Sequence, residues 1–239
     1  MGDGRRAALR VRGIVKSYGP VRALDGVSLQ ARPGEVTGLI GPNGSGKTTL
    51  LEAIAGLLPV DAGEVAVEAD GGSRLEVRHA LFYLADAISP WCDQSVAFVL
   101  DCFRRFHSVP LHRLDELSGA LSLEPFLERR VGELSKGQRK RSVLALGLLV
   151  PRPVLLLDEP LDGLDLRQAR DLTLLLRREA DAGRTLLVAV HQLSDAARLC
   201  DRFILLSAGR VAGAGTLEEL RETSGVPQAS LEDAFLALT

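Results

Sequence analysis

The run Gly41-Pro42-Asn43-Gly44-Ser45-Gly46-Lys47-Thr48 fits the pattern G-x-x-x-x-G-K-[ST], whose residue types and spacing suit the phosphates of a nucleoside triphosphate. Its glycines let successive backbone N–H groups turn inward. A helix expected from Thr48-Thr49-Leu50 onward adds the positive end of its dipole to that anion site. Lys47 would reach the terminal phosphates, and the Thr48 hydroxyl would hold Mg²⁺. The chain has only four lysines, Lys16, Lys47, Lys136 and Lys140, amid many arginines. A compact ammonium enters among phosphate oxygens as a point charge, where a planar guanidinium does not fit.

Two further groupings carry potential chemistry. The apolar run Val154-Leu155-Leu156-Leu157 ends in Asp158-Glu159-Pro160, which places two carboxylates at the carboxyl end of a central strand, where α/β sheets bind ligands. Adjacent acids can divide the work: one supports Mg²⁺, usually through water, and the other orients and deprotonates an attacking water. Ser135 and Gln138 have the spacing of a capping box. That reading is a well-capped helix, but the cap also presents Gly137 and its neighbours' N–H groups at a positive helix end, a second anion site.

The elements that must position these groups follow from hydropathy patterning. Val36 to Ile40 reads as a buried strand and Thr49 to Ala55 as a helix, the order a phosphate loop requires. From about Leu9 to Ala31 the pattern alternates, with turn signals at Gly19-Pro20 and Asp25-Gly26, so short antiparallel strands are expected. Glu64 to Val67 and Leu75 to Val77 form a second hairpin pattern around Asp70-Gly71-Gly72. From Ser95 to about Leu127 the spacing is helical, with Val96, Val99, Leu100 and Phe103 on one face. The helix opened by Ser135 runs to Val150 and stops before Pro151. Strand Val154 to Leu157, helix Leu166 to Ala180 and strand Thr185 to Val190 then alternate, which predicts a parallel sheet covered by helices. Phe203 to Leu206 and Arg210 to Ala212 make a closing hairpin around Ala208-Gly209, and Ser230 caps a last helix through Leu238.

Composition narrows the function class. The 239 residues are 46% hydrophobic, ample for a core, and 29 basic against 31 acidic residues leave no field that would recruit nucleic acid or an anionic membrane directly. Cys92, Cys102 and Cys200 form no C-x-x-C pair, which suits free thiols in a reducing compartment. No apolar leader follows Met1 to Arg6, and the longest apolar run, Val143 to Val150, is far short of the roughly 20 residues a spanning helix needs. A soluble cytoplasmic chain is expected.

Taken together, Gly41 to Thr48, Leu134 to Gln138, Val154 to Pro160, Asp162-Gly163-Leu164-Asp165 and His191 resemble the ATP-binding subunit of an ABC transporter, over nearly the whole chain. The resemblance implies an α/β fold: a P-loop NTPase core with a parallel central sheet, an N-terminal antiparallel β subdomain and an inserted helical subdomain at about 89–150, all within one ABC-type domain spanning 1–239. It implies ATP and Mg²⁺ as ligands, and head-to-tail pairing with a second ATP-binding subunit, each ATP lying between one subunit's P-loop and the other's signature. Leu134-Ser135-Lys136-Gly137-Gln138 is similar to that signature, L-S-G-G-Q, with Lys136 in place of one glycine. Ser135 and Gly137 would contact the γ-phosphate across the dimer. Glu159 matches the catalytic glutamate, Asp158 the acid supporting Mg²⁺, Asp165 the D-loop acid, His191 the switch histidine, and Tyr18 the aromatic that stacks on adenine.

The clearest departure is Asp86, which follows the strand Leu81-Phe82-Tyr83 where the family usually has glutamine. A carboxylate can still bind Mg²⁺ through oxygen, but it is shorter and lacks the amide donor. The resemblance implies a separate transmembrane permease, docked through the helical subdomain and the loop around Asp86, and a peripheral location on the cytoplasmic face of the membrane. The single signature and Lys136 are more similar to exporter subunits than to binding-protein-dependent importers. A soluble ABC ATPase is the alternative, disfavoured because its translation members carry two such domains and its DNA-acting members a long coiled coil. A low-turnover regulatory subunit, which Asp86 would suit, is the third reading.

Overall fold

In the computed structural model β1 (Ala7–Tyr18) and β2 (Val21–Ala31) pair antiparallel and reverse at Gly19-Pro20. Residues 6–86, 88, 91–226 and 228–239 are described; Met1 to Arg5, and Ser89 and Pro90 at the expected start of the helical subdomain, lie outside them. Asp25-Gly26 does not turn the chain. It forms a bulge inside β2, with Gly26 at φ 71°, and the extra residue brings Leu24, Val27 and Leu29 onto one buried side.

β3 (Val36–Ile40) leads through the glycine loop into α1 (Lys47–Ile54). β4 (Ala62–Ala69) and the short β5 (Arg74–Leu75) complete an antiparallel sheet of order β2-β1-β4-β5. Val77, expected in that hairpin, instead begins the single turn α2 (Val77–Ala80), which swings the chain into β6 (Leu81–Leu84).

The helical segment comprises α3 (Val96–Phe106), α4 (Leu111–Ala120) and the long α5 (Lys136–Leu149), joined by short 3₁₀ turns. On α3, Val96, Val99 and Leu100 are buried and Phe103 is half-buried, as the spacing predicts. The core then alternates β7 (Val154–Asp158), α6 (Leu166–Asp181), β8 (Thr185–Val190) and α7 (Leu193–Leu199), and closes with β9 (Arg202–Ser207), β10 (Arg210–Gly215), α8 (Leu217–Ser224) and α9 (Leu231–Leu238).

The second sheet has the order β10-β9-β3-β8-β7-β6 and is parallel except for its edge strand β10. β3, β7 and β8 are buried at every position. Their alternate side chains enter two different cores. Leu39, Leu156 and Leu187 pack toward α1 and the antiparallel sheet, whereas Ile40, Leu155, Leu157 and Val188 pack toward the helical layer. Each such leucine contributes about 1.5–3 kcal/mol by leaving water, so the strand ends are fixed from both faces. Among the described residues no helix is long and apolar enough to cross a membrane.

Candidate active site

The central strands β3, β7 and β8 end side by side, and each delivers one part of the site at its carboxyl end. From β3 comes the loop Gly41 to Gly46. A side chain at Gly41 would strike the Leu206 carbonyl, and one at Gly46 would stand 2.8 Å from the Ala23 carbonyl while the backbone there adopts φ 105°. Only glycine fits this tight path. Gly46 is the N-cap of α1 and has no side chain to cap it, so first-turn N–H groups face the loop's interior.

Lys47 is buried, and its Nζ donates to the carbonyls of Gly41 (2.8 Å) and Pro42 (3.3 Å), with Glu159 Oε1 at 3.9 Å. The Thr48 hydroxyl donates to Asp158 Oδ2 at 2.9 Å. Two buried oxygens, Ser45 Oγ and Asp158 Oδ1, have no hydrogen-bond partner among the described residues. Unpartnered buried oxygens beside a glycine cradle are what a phosphate–Mg²⁺ pair requires, so the residues present fit both groups. Among the described residues no three His, Cys, Asp or Glu side chains converge to hold a metal. A cation beside Thr48 and Asp158 would therefore complete its shell with phosphate and water oxygens, as Mg²⁺ does.

From β7 come Asp158, within the strand, and Glu159, the first residue beyond it. Glu159 adopts φ 48°, a left-handed conformation unusual for a non-glycine residue, and its N–H donates to the Ala189 carbonyl at 3.1 Å. This turn separates the two acids: Asp158 faces Thr48, and Glu159 faces the residue after β8. That residue is His191. Its backbone N–H donates to Glu159 Oε2 at 3.1 Å, and its Nδ1 lies 2.7 Å from the same oxygen. An ionised carboxylate only accepts, so Nδ1 carries the proton in this contact.

The signature motif is built differently. Ser135 Oγ accepts from the Gln138 N–H and Gln138 Oε1 accepts from the Ser135 N–H, a complete capping box at the start of α5. Lys136 pairs with Asp162 at 2.7 Å, which holds the Asp162 carboxyl below and the Lys136 ammonium above their ordinary ranges. Gly137 lies against Gly163, where an added Cβ would approach the carbonyl to 3.3 Å. Among the described residues no hydrogen bond or ion pair joins residues 135–138 to residues 41–48. Asp165 caps α6 in the same manner, accepting from the Gln168 N–H at 2.9 Å.

Tyr18 ends β1 with 49% of its surface exposed, and the Lys16 ammonium sits 5.4 Å from its ring centroid. Asp86, expected beside the metal, instead bonds Lys140 at 2.6 Å. Tyr83 is a residue that sequence reasoning missed. Its hydroxyl donates to Asp158 Oδ2 at 3.3 Å, and burial together with the Asp158 charge pushes its pKa up. The available signal was a tyrosine near the end of a strand that runs beside β7. The Cys200 thiol is buried, and burial pushes its pKa up to about 12.

The profile of the family described as ABC transporter matches residues 24–162. The chain is 34% identical over 220 residues to the sn-glycerol-3-phosphate import ATP-binding protein UgpC 1 of Rhizobium johnstonii, covering 90% of this chain and 60% of that protein. It is 36% identical over 235 residues to the sulfate/thiosulfate import ATP-binding protein CysA of Bordetella parapertussis, covering 92% of this chain and 65% of that one. The chain thus spans less than two thirds of the length of these curated relatives. A solved ATP-binding subunit of an ABC transporter superposes with a TM-score of 0.86 at 27% identity, over 96% of this chain and 98% of that one. A bacterial Atm1-family exporter with ATP bound superposes at 0.80, but at 21% identity and over 41% of its length it shows the fold alone. Both curated relatives are named for import, so the expectation of an export-type subunit finds no support in them.

Proposed function

Because this chain belongs to the ABC transporter family, we propose that it binds and hydrolyses ATP as half of a two-subunit site and thereby drives a separate membrane-spanning permease. Lys47 would leave the Gly41 and Pro42 carbonyls for the terminal phosphate oxygens, aided by the N–H groups at the start of α1. Thr48 and Asp158 would hold Mg²⁺, which neutralises charge developing on the phosphates. Glu159 takes a proton from water as the water oxygen attacks the γ-phosphorus. The bond to the bridging oxygen breaks, and ADP and phosphate leave. His191 holds the Glu159 carboxylate through two contacts, which keeps its second oxygen toward Lys47 and the phosphate position.

The observation that carries this reading is the Glu159 turn: a strained φ of 48° aims that carboxylate away from Asp158 and into the cleft beside Lys47. The self-capped signature supports a partner subunit, since Ser135 and Gly137 lie apart from this chain's own P-loop. Likeness to the two import proteins favours inward transport, on the cytoplasmic side of a membrane. The test is ATP turnover of wild type against Glu159→Gln, together with sizing in ATP. Loss of turnover with accumulation of an ATP-bound dimer is expected; equal rates would remove Glu159 from catalysis. A second, low-turnover reading is favoured by the engagement of Asp86 with Lys140, and negligible wild-type turnover with intact ATP binding would select it.

A further inference from the structure

Asp86 occupies the loop after β6, and its Oδ1 accepts from Lys140 Nζ at 2.6 Å. The lysine side chain is only 8% exposed, whereas that of Asp86 is 45% exposed. Lys140 lies one turn beyond Lys136 on α5, the helix that Ser135 caps. Beyond this pair, α5 meets β6 through Gly147, whose Cα faces the Leu84 side chain at a distance that leaves little room for a methyl group. At its far end the helix is held by Arg184, which donates to the carbonyls of Val150 (2.7 Å) and Arg152 (3.0 Å). The signature end is therefore tied to the loop after β6 by one ion pair whose lysine is buried and whose carboxylate is half-exposed.

The same strand also touches the phosphate site. Tyr83, three residues before Asp86, donates to Asp158 Oδ2, the oxygen that also accepts from Thr48. Hydrogen bonds thus join Thr48, Asp158 and Tyr83, the chain itself carries Tyr83 on to Asp86, and Asp86 pairs with Lys140 on the helix that Ser135 caps.

We propose that Lys140 is a positioning residue that makes Asp86 a tether rather than a metal ligand, fixing the signature helix relative to this chain's own phosphate site. The inference rests on the ATPase reading above. Loss of Asp86 leaves the Lys140 ammonium as a buried, uncompensated charge, whereas loss of Lys140 leaves a half-exposed carboxylate that water can hydrate, and either loss removes the link. The pair also accounts for a carboxylate at position 86: glutamine cannot neutralise Lys140.

The test is a double-mutant cycle in the isolated full chain with Asp86→Gln, Lys140→Met and the two combined, and Asp86→Asn as an arm that changes charge without size. Each single substitution should lower kcat about 10-fold while KM for ATP stays within about 2-fold, because own-subunit ATP contacts are untouched. Amide hydrogen exchange at residues 136–142, measured without nucleotide, should quicken in the singles. Asp86→Gln/Lys140→Met should lose no more kcat or protection than Asp86→Gln alone, the non-additivity expected when both substitutions remove one contact. Additive losses in the double, or unchanged exchange and kcat in Asp86→Asn and Asp86→Gln, would overturn the tether. If wild type shows no turnover, the ATPase reading fails, and the exchange cycle alone decides the tether.

Discussion

The P-loop and the signature both stand at helix N-termini, yet the structure surrounds one with side chains from three strand ends and leaves the other capped only by itself. Around the P-loop, three strand ends converge, and Lys47, Thr48, Asp158, Glu159 and His191 contact one another. At the signature, Ser135 and Gln138 satisfy only each other, and Lys136 reaches the nearby Asp162. The first is a site that sheet packing assembles within one chain. The second is a helix end that caps itself and, among the described residues, makes no hydrogen bond or ion pair to this chain's own P-loop, as the proposed head-to-tail pairing would require.

That contrast can be broken most forcefully at its catalytic end. Glu159→Gln should lower turnover about 1000-fold, the middle of the range for general-base removal, and leave ATP affinity intact by nucleotide titration. Lys47→Ala should weaken ATP binding about 100-fold in the same titration, since a charge-assisted contact inside the cradle is lost. Gly137→Asp places a negative charge at the signature. It should reduce turnover about 100-fold with no change in ATP affinity of the monomer, and equal losses in both would show that the signature serves its own P-loop. Tyr83→Phe removes one neutral donor from Asp158 and should slow turnover about 5-fold, read as kcat at saturating Mg²⁺.

The smallest effect belongs to the exposed Lys136–Asp162 pair. Asp162 has a lowered carboxyl pKa, so its contribution is present above the ordinary carboxylate range and is lost as pH falls through the lowered value. Lys136→Ala should therefore reduce the thermal midpoint slightly at neutral pH, and the difference from wild type should vanish in acid.

Much of this arrangement was legible before any coordinates. The strands β3, β7 and β8, the helices α1, α5 and α6, and the caps at Ser135 and Ser230 all follow from apolar runs and local hydrogen-bonding spacing. Other elements were missed because their signals are short or ambiguous. α7 spans only 7 residues, and Asp25-Gly26 reads as a turn in one dimension but as a bulge once Leu24 and Val27 must share a core. The roles of Tyr83 and Lys140 were hidden for a different reason. Their partners, Asp158 and Asp86, are 75 and 54 residues away, and sequence spacing carries no information on such contacts.

The sequence by itself determined which backbone segments could bind phosphate, because glycine spacing, helix capping and strand-end acids act over a few residues. It also determined the order of the long strands and helices, since hydrophobic periodicity is local. Only the tertiary structure decided that Glu159 turns away from Asp158 toward His191, and that Asp86 faces a buried ammonium instead of the metal position. Those outcomes depend on how parallel strands align and on which distant carboxylate the fold brings to a buried ammonium. Both are properties of packing, where an unpaired charge is costly and the nearest partner is set by the fold.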